Sequence, residues 1–184
     1  DAGSFVSIVG ATAQEPCPAG TYAAGQGQHE CAKCGRGTFQ DKMGRTSCPL
    51  ADAGFFVSET GASNQTACPA GYFSGSGASE CNACDRGTYQ DATGKSSCKL
   101  ADAGSFVNDT GASEQTACPA GSFSGSAAGK CDDCAVGTFQ ELTGQSSCAL
   151  AGQGFYIGST GASEQTACPA GSFSGSGASE CVDC

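Results

Sequence analysis

The sequence predicts a small disulfide-rich β fold, laid out as an elongated linear array of short β-hairpin sub-repeats with an aromatic ladder. Three observations predict it. Glycine–aromatic pairs recur without a break, cysteines number fifteen in 184 residues, and large aliphatic side chains are scarce. The pairs are Gly3/Phe5, Gly20/Tyr22, Gly37/Phe39, Gly54/Phe56, Gly71/Phe73, Gly87/Tyr89, Gly104/Phe106, Gly121/Phe123, Gly137/Phe139, Gly154/Tyr156 and Gly171/Phe173, one every 16 or 17 residues. A period this regular marks a repeat architecture, in which each unit is one small element stacked on its neighbours.

Leu, Ile, Val and Phe together make up about an eighth of the chain, a share typical of disordered sequences. The cysteines reverse that reading, because each cross-link removes entropy from the unfolded chain, typically ~2–4 kcal/mol. Cysteine at this density beside the single histidine, His29, points to an oxidising compartment, so the expected location is extracellular or cell-surface. An all-cysteine zinc site is the alternative. Zinc modules bring together two C-x-x-C pairs, or one pair and two histidines. Here a pair such as Cys81 and Cys84 is flanked by the lone Cys68 and Cys98.

The net charge of −10, with only 8 lysines and arginines, argues against nucleic-acid partners and anionic membrane surfaces. No run reaches the ~18 apolar residues of a membrane span. No signal peptide is visible. Asp1 falls in mid-array and Cys184 ends a C-x-x-C, so the chain reads as a segment of a longer protein.

Two periods are nested. Asp1-Ala-Gly-Ser-Phe-Val aligns with the segments beginning at Asp52, Asp102 and Gly152, which gives copies 1–51, 52–101, 102–151 and a partial 152–184. Each full copy holds three sub-repeats. In every third one Gln115 or its equivalent stands where Cys81 stood, and Ala101 where Cys84 stood, so both cysteines are lost together. Unpaired cysteines are a liability where disulfides form, and joint loss fits that setting.

Each sub-repeat reads as a hairpin. A Pro-Ala-Gly or Asp-Arg-Gly turn leads into a strand such as Gly-Thr-Phe-Gln, a glycine-rich bend follows, and Ser-Ser-Cys is the expected return strand. The first glycine supplies a positive φ or a close backbone approach. The bend carries a second glycine, replaced by Ala127 in one sub-repeat. The eleven rings of the ladder are expected to stack on one another as the core, at ~0.5–1.5 kcal/mol per pair beyond area burial. Phe55, Tyr72 and Phe155 lie one residue earlier, on the opposite strand face, and are the candidates for contacts between protomers.

The words Cys-Pro-Ala-Gly-x-Phe/Tyr-Ser, Cys-x-x-Cys-x-x-Gly-Thr-Phe/Tyr-Gln and Ser-Ser-Cys occur over residues 17–48, 68–98, 118–148 and 168–184. They resemble the ephrin-receptor-like cysteine-rich repeat, which is related in form to the cysteine-rich modules of tumour necrosis factor receptors. The resemblance implies an extended, disulfide-laddered ectodomain and no single function. It also implies interlocked disulfides: Cys17–Cys34, Cys31–Cys48, Cys68–Cys84, Cys81–Cys98, Cys118–Cys134, Cys131–Cys148 and Cys168–Cys184, with Cys181 unpaired. The sequence leaves open the sequential pattern, such as Cys68–Cys81 with Cys84–Cys98, in which Cys184 is the odd one.

Asn64-Gln-Thr66 and Asn108-Asp-Thr110 are N-glycosylation sequons. Serines on the bends could carry O-linked sugar. No catalytic constellation is found. His29 sits in a turn beside Glu30, the carboxylates read as a solvated face, and Asp132 with Asp133 lacks a calcium-loop spacing. C-x-x-C lacks the βαβ context of a redox motif. No enzyme activity, cofactor or metal is therefore expected. A structural subunit of a coat, appendage or fibril that associates with itself is the leading expectation. The alternative is a receptor stalk or ligand-facing segment, for which the basic Lys33, Arg36, Lys42 and Arg45 of the first copy are the one local asymmetry.

Overall fold

The computed structural model of the protein describes residues 1–6 and 13–184. Among these residues the regular structure is entirely β: twenty strands of two residues each and no helix. The strands form ten antiparallel pairs. An additional hairpin, in the first copy, is reduced to a single bridge between Thr38 and Leu50. The expected array of short hairpins is thus observed.

The hairpin of β13 (Ser122–Phe123) and β14 (Asp132–Asp133) shows how local sequence builds the unit. Pro119-Ala120-Gly121 makes the entering turn, which the Ser122 amide closes on the Pro119 carbonyl (3.2 Å). Gly121 takes φ +84°, as the third residue of a type II turn must. The Ser122 hydroxyl also donates to the Pro119 carbonyl (2.8 Å). The return strand is not the one expected. It consists of the two residues inside C-x-x-C, with Ser122 opposite Asp133 and Phe123 opposite Asp132. In the following hairpin β15 (Thr138–Phe139) pairs with β16 (Ala149–Leu150), just after Ser-Ser-Cys148. The cysteine ends the bend, and the two residues after it cross back along the strand.

Contacts divide the described residues into two compact units, Asp1–Cys84 with Gln90–Cys98, and Asp85–Tyr89 with Lys99–Cys184. The same backbone ladder runs through each. In the first, the amides of Gly3, Gly20, Gly37, Gly54 and Gly71 donate to the carbonyls of Ala23, Gln40, Val57, Ser74 and Gln90 at 2.7–2.9 Å. In the second, Gly87, Gly104, Gly121, Gly137 and Gly154 donate to Val107, Ser124, Gln140, Ile157 and Ser174 at 2.7–3.1 Å. Within each unit, successive hairpins are therefore bonded by main-chain groups.

The interior of each unit is narrow. One column consists of Cys17, Cys34, Ala51, Cys68 and Cys84 in the first unit, and of Ala101, Cys118, Cys134 and Ala151 in the second, all with 0% exposure. A second is the residue that follows each ring: Val57, Ser74 and Gln90 in one copy, Val107 and Ser124 in the next, then Ile157. The buried polar members are satisfied. Ser74 and Ser124 donate to the carbonyls of Phe55 and Ser105, both at 2.9 Å. Gln90 donates to the Ser97 carbonyl (2.8 Å) and accepts from the Ala92 amide (3.1 Å).

The expected aromatic ladder does not form the core, which corrects the reading of all but one of its rings. Only Phe139 is buried. Phe5, Tyr22, Phe39, Phe56, Phe73, Tyr89, Phe106, Phe123 and Tyr156 are half-buried. Phe173 is 56% exposed. The ring points to one side of its strand and the next residue points inward, because adjacent residues alternate faces. Thus Ala23 is buried behind Tyr22, Gln40 behind Phe39, Ser74 behind Phe73 and Ile157 behind Tyr156. An interior filled by disulfides, alanines and backbone has no room for a ring in each unit. The three extra rings also differ among themselves. Tyr72 is exposed, whereas Phe55 is half-buried and lies 3.7 Å from where a β-carbon of Gly94 would stand. Phe155 is likewise half-buried.

Both expectations for the first glycine hold at once. Gly104 has φ +89°, and a β-carbon there would lie 2.1 Å from the Gly144 carbonyl oxygen. The Gly144 amide meanwhile donates to the Cys118 carbonyl, and the Cys118 amide to the Gly104 carbonyl, each at 2.8 Å. The substitution Gly104→Ala should therefore destabilise the fold by more than about 2 kcal/mol. Gly125→Ala, with nothing within 4 Å, should be neutral or slightly stabilising. Ala127 sits at φ 60° in a bend otherwise held by glycine, so Ala127→Gly should stabilise by about 1 kcal/mol. Denaturant unfolding without reductant measures all three.

Candidate functional site

The cysteine framework is the chemically distinctive part of the chain, and it corrects the pairing that the resemblance implied. The bonds are Cys17–Cys31, Cys34–Cys48, Cys68–Cys81, Cys84–Cys98, Cys118–Cys131, Cys134–Cys148 and Cys168–Cys181. None of the interlocked pairs Cys17–Cys34, Cys31–Cys48, Cys68–Cys84, Cys81–Cys98, Cys118–Cys134, Cys131–Cys148 or Cys168–Cys184 forms. Cys181 is bonded, and Cys184 is the free, exposed thiol. The reason is geometric. Cys17 and Cys34 hold equivalent buried places in successive sub-repeats. The partner of each lies 14 residues on, with the two α-carbons 5.7 Å apart. Each bond closes a loop of 13 or 14 residues, a constraint on the unfolded chain of about 3 kcal/mol.

This pairing explains the joint loss of cysteines. Ala101 takes the buried place of a first cysteine, and Gln115 stands where its partner would be. Gln115 accepts from the Asp102 amide (2.7 Å) and donates to the Asp102 carboxylate (2.6 Å). Gln65 does the same to Asp52, both at 2.6 Å. Gln165 accepts from the Gly152 amide (2.8 Å). Gln14 likewise takes a bond from the amino terminus of Asp1. A polar clip closes the hairpin in which a disulfide is missing. The clip went unrecognised in the sequence, although the glutamine recurs at each missing cysteine and signals it. The Val/Ser/Gln cycle behind each ring was a comparable signal for the inner column.

The remaining candidates lie on the surface. Asn64 and Asn108 are both exposed. Asn64 lines an open depression of about 140 Å³ beside β5 (Phe55–Phe56) and β6 (Thr66–Ala67). Asn108 lines an equivalent one of about 370 Å³ with Asp109, Ser113 and Glu114. Lys42 and Arg45 border another, of about 380 Å³, with Asp41. Arg36 is tied down, donating to the Ser58 carbonyl (2.6 Å), and the stem of Lys33 covers Gly61. Lys130 pairs with Asp132 on the surface at 3.6 Å. Leu50, Leu100 and Leu150, one per copy, are exposed at equivalent positions. His29 is exposed in a turn. Among the described residues no three His, Cys, Asp or Glu side chains gather as metal ligands, and no helix is long and apolar enough to cross a membrane.

Two measurements test the framework. Peptide mapping without reduction should recover Cys17–Cys31 and its six counterparts, with Cys184 alone alkylated; a Cys17–Cys34 peptide would contradict it. Gln115→Ala should lower stability by about 1 kcal/mol in denaturant unfolding, because the Asp102 amide loses its partner.

A family model described as tyrosine-protein kinase ephrin type A/B receptor-like matches residues 20–68, 71–118 and 121–168, more than three quarters of the chain. Each match begins inside one disulfide-closed sub-repeat and runs through a second and the one closed by glutamine, so the cysteine-free unit is part of the repeat. No curated protein matches the chain. Seven disulfides and this repeat point to an extracellular or cell-surface location. With three tandem matches on a framework of disulfide-closed hairpins, the chain belongs to the ephrin type A/B receptor-like cysteine-rich family.

Proposed function

We propose that this chain is a structural repeat segment of a cell-surface coat, appendage or fibril that associates with copies of itself and carries N-linked glycans at Asn64 and Asn108. The observation that carries the reading is the recurrence of one exposed leucine in every full copy. Leu50, Leu100 and Leu150 pair opposite Thr38, Thr88 and Thr138 at a spacing of one copy and remain exposed, and a contact made once by such a face can recur along an assembly. The openings bordered by Lys42 and by Asn108 are open and polar, which suits a scaffold better than a small-molecule receptor. No enzymatic role is proposed, and no cofactor.

A second reading, a receptor stalk or ligand-facing segment, is favoured by one observation. Lys42 and Arg45 border an opening in the first copy, whereas Ala92 and Lys95, then Leu142 and Gln145, stand at the equivalent places in the next two.

Electron microscopy of the native, unreduced protein separates the two readings. Filaments whose axial repeat matches one copy are expected, and Leu100→Asp should abolish them. Particles that stay single at every concentration would sink the coat reading and favour the stalk. Mass spectrometry after enzymatic removal of N-linked glycans should show Asn64 and Asn108 converted to aspartate.

A further inference from the structure

The chain closes its hairpins in two chemically different ways, and the difference repeats with the copy. In each copy two hairpins are held by a disulfide, such as Cys118–Cys131 and Cys134–Cys148. The third is held by a glutamine side chain, as Gln115 holds Asp102. The strand pair and the onward glycine bond are common to both kinds. The hairpin at 101–117 has a two-residue strand pair, β11 (Ser105–Phe106) with β12 (Thr116–Ala117). Its neighbour has the same kind of pair, β13 with β14. Both are bonded onward through a first-glycine amide, Gly104 to Ser124 and Gly121 to Gln140. They differ in closure, and the glutamine-closed hairpin also gains noncovalent bonds to the next one: the bridge from Phe106 to Ala128, and the Ser124 and Ser126 hydroxyls on the Ser105 and Ala101 carbonyls.

We propose that the glutamine-closed hairpins are extensible elements, which open under tension along the chain while the disulfide-closed hairpins hold. Force applied between two points on a polypeptide follows the shortest covalent path. At Cys118–Cys131 that path crosses the sulfur–sulfur bond, and residues 119–130 bear no load. At 101–117 nothing covalent bypasses the loop. The load falls on the clip, the strand pair and the bonds to the next hairpin, all of them noncovalent. The described residues hold three such segments, 48–68, 98–118 and 148–168, each running from the last cysteine of one bridged pair of hairpins to the first of the next. Each segment is about 20 residues, so at ~3.3–3.6 Å per residue an opening releases at most about 7 nm. The disulfides bound each release, and closing a short loop again costs little entropy. The array would therefore lengthen in limited, reversible steps. The inference concerns the chain itself, and its failure would leave the coat or fibril reading intact.

Single-molecule pulling of the unreduced 184-residue chain through cysteine-free tags at its two ends tests this. The expected trace shows successive releases, none longer than about 7 nm. The paired substitution Ala101→Cys with Gln115→Cys should delete one release. Because it takes 14 residues out of the loaded path, it should shorten the total extension by about 5 nm. Gln115→Ala should lower the force of one release and leave its length unchanged, which decides the matter even if the new bridge does not form. A single cooperative release of the whole chain would overturn the proposal. So would releases whose force ignores Gln115→Ala.

Discussion

A close approach of backbone to backbone governs this fold. The carbonyl oxygen of a bend residue packs against the first glycine of a hairpin two sub-repeats earlier, where a β-carbon would stand only 2.1–2.3 Å away. The contact closes a triangle. The glycine carbonyl accepts from the buried column residue, the column residue's carbonyl accepts from the bend amide, and the bend carbonyl returns to the glycine. Gly104, Cys118 and Gly144 form one triangle, and Gly137, Ala151 and Gly177 another. A side chain on the first residue would break it on steric grounds alone, before the cost of its positive φ is counted. The glycine spacing of 16 or 17 residues is set by this requirement.

The triangle also accounts for a protein with so little apolar bulk. Where backbones approach this closely, only small groups fit between them, and the column is filled by sulfur and alanine methyl groups. The rings are left half outside, shielding the strand pairs from water. Polar side chains enter the interior because the ladder offers carbonyls at fixed places, and Ser74, Ser124, Gln40 and Gln90 each meet one. Among the described residues no buried side-chain nitrogen or oxygen lacks a partner. Hydrogen bonding and cross-linking thus take the part that aliphatic burial plays in a larger domain.

Disulfide and glutamine closures alternate along the chain. Two covalent closures in each copy hold the backbone approach in place. The third position dispenses with a cross-link because a glutamine reaches the amide just past the buried alanine. Where the triangle persists, the closure can vary, and it does so with a fixed period. The exposed Leu50, Leu100 and Leu150 recur with that same period.

The sequence by itself determined the hairpin array, its copy length, the glycine requirement and the oxidising setting, because all of these follow from periodicity and composition. It also contained the turns, since Pro-Ala-Gly before a strand admits few backbone paths. Three things were decided only by the tertiary structure. The disulfide partners were open, because Cys31 and Cys34 flank the same two residues and spacing alone does not say which way each sulfur faces. The inward-facing residue was open as well, because strand alternation makes neighbours point oppositely and does not say which of them points inward. The clip at Gln65, Gln115 and Gln165 stayed hidden, since an isolated glutamine carries no signal until its hairpin brings it to a free amide. Each depends on which side of a two-residue strand faces its neighbour, and that is set by the backbone bonds between hairpins.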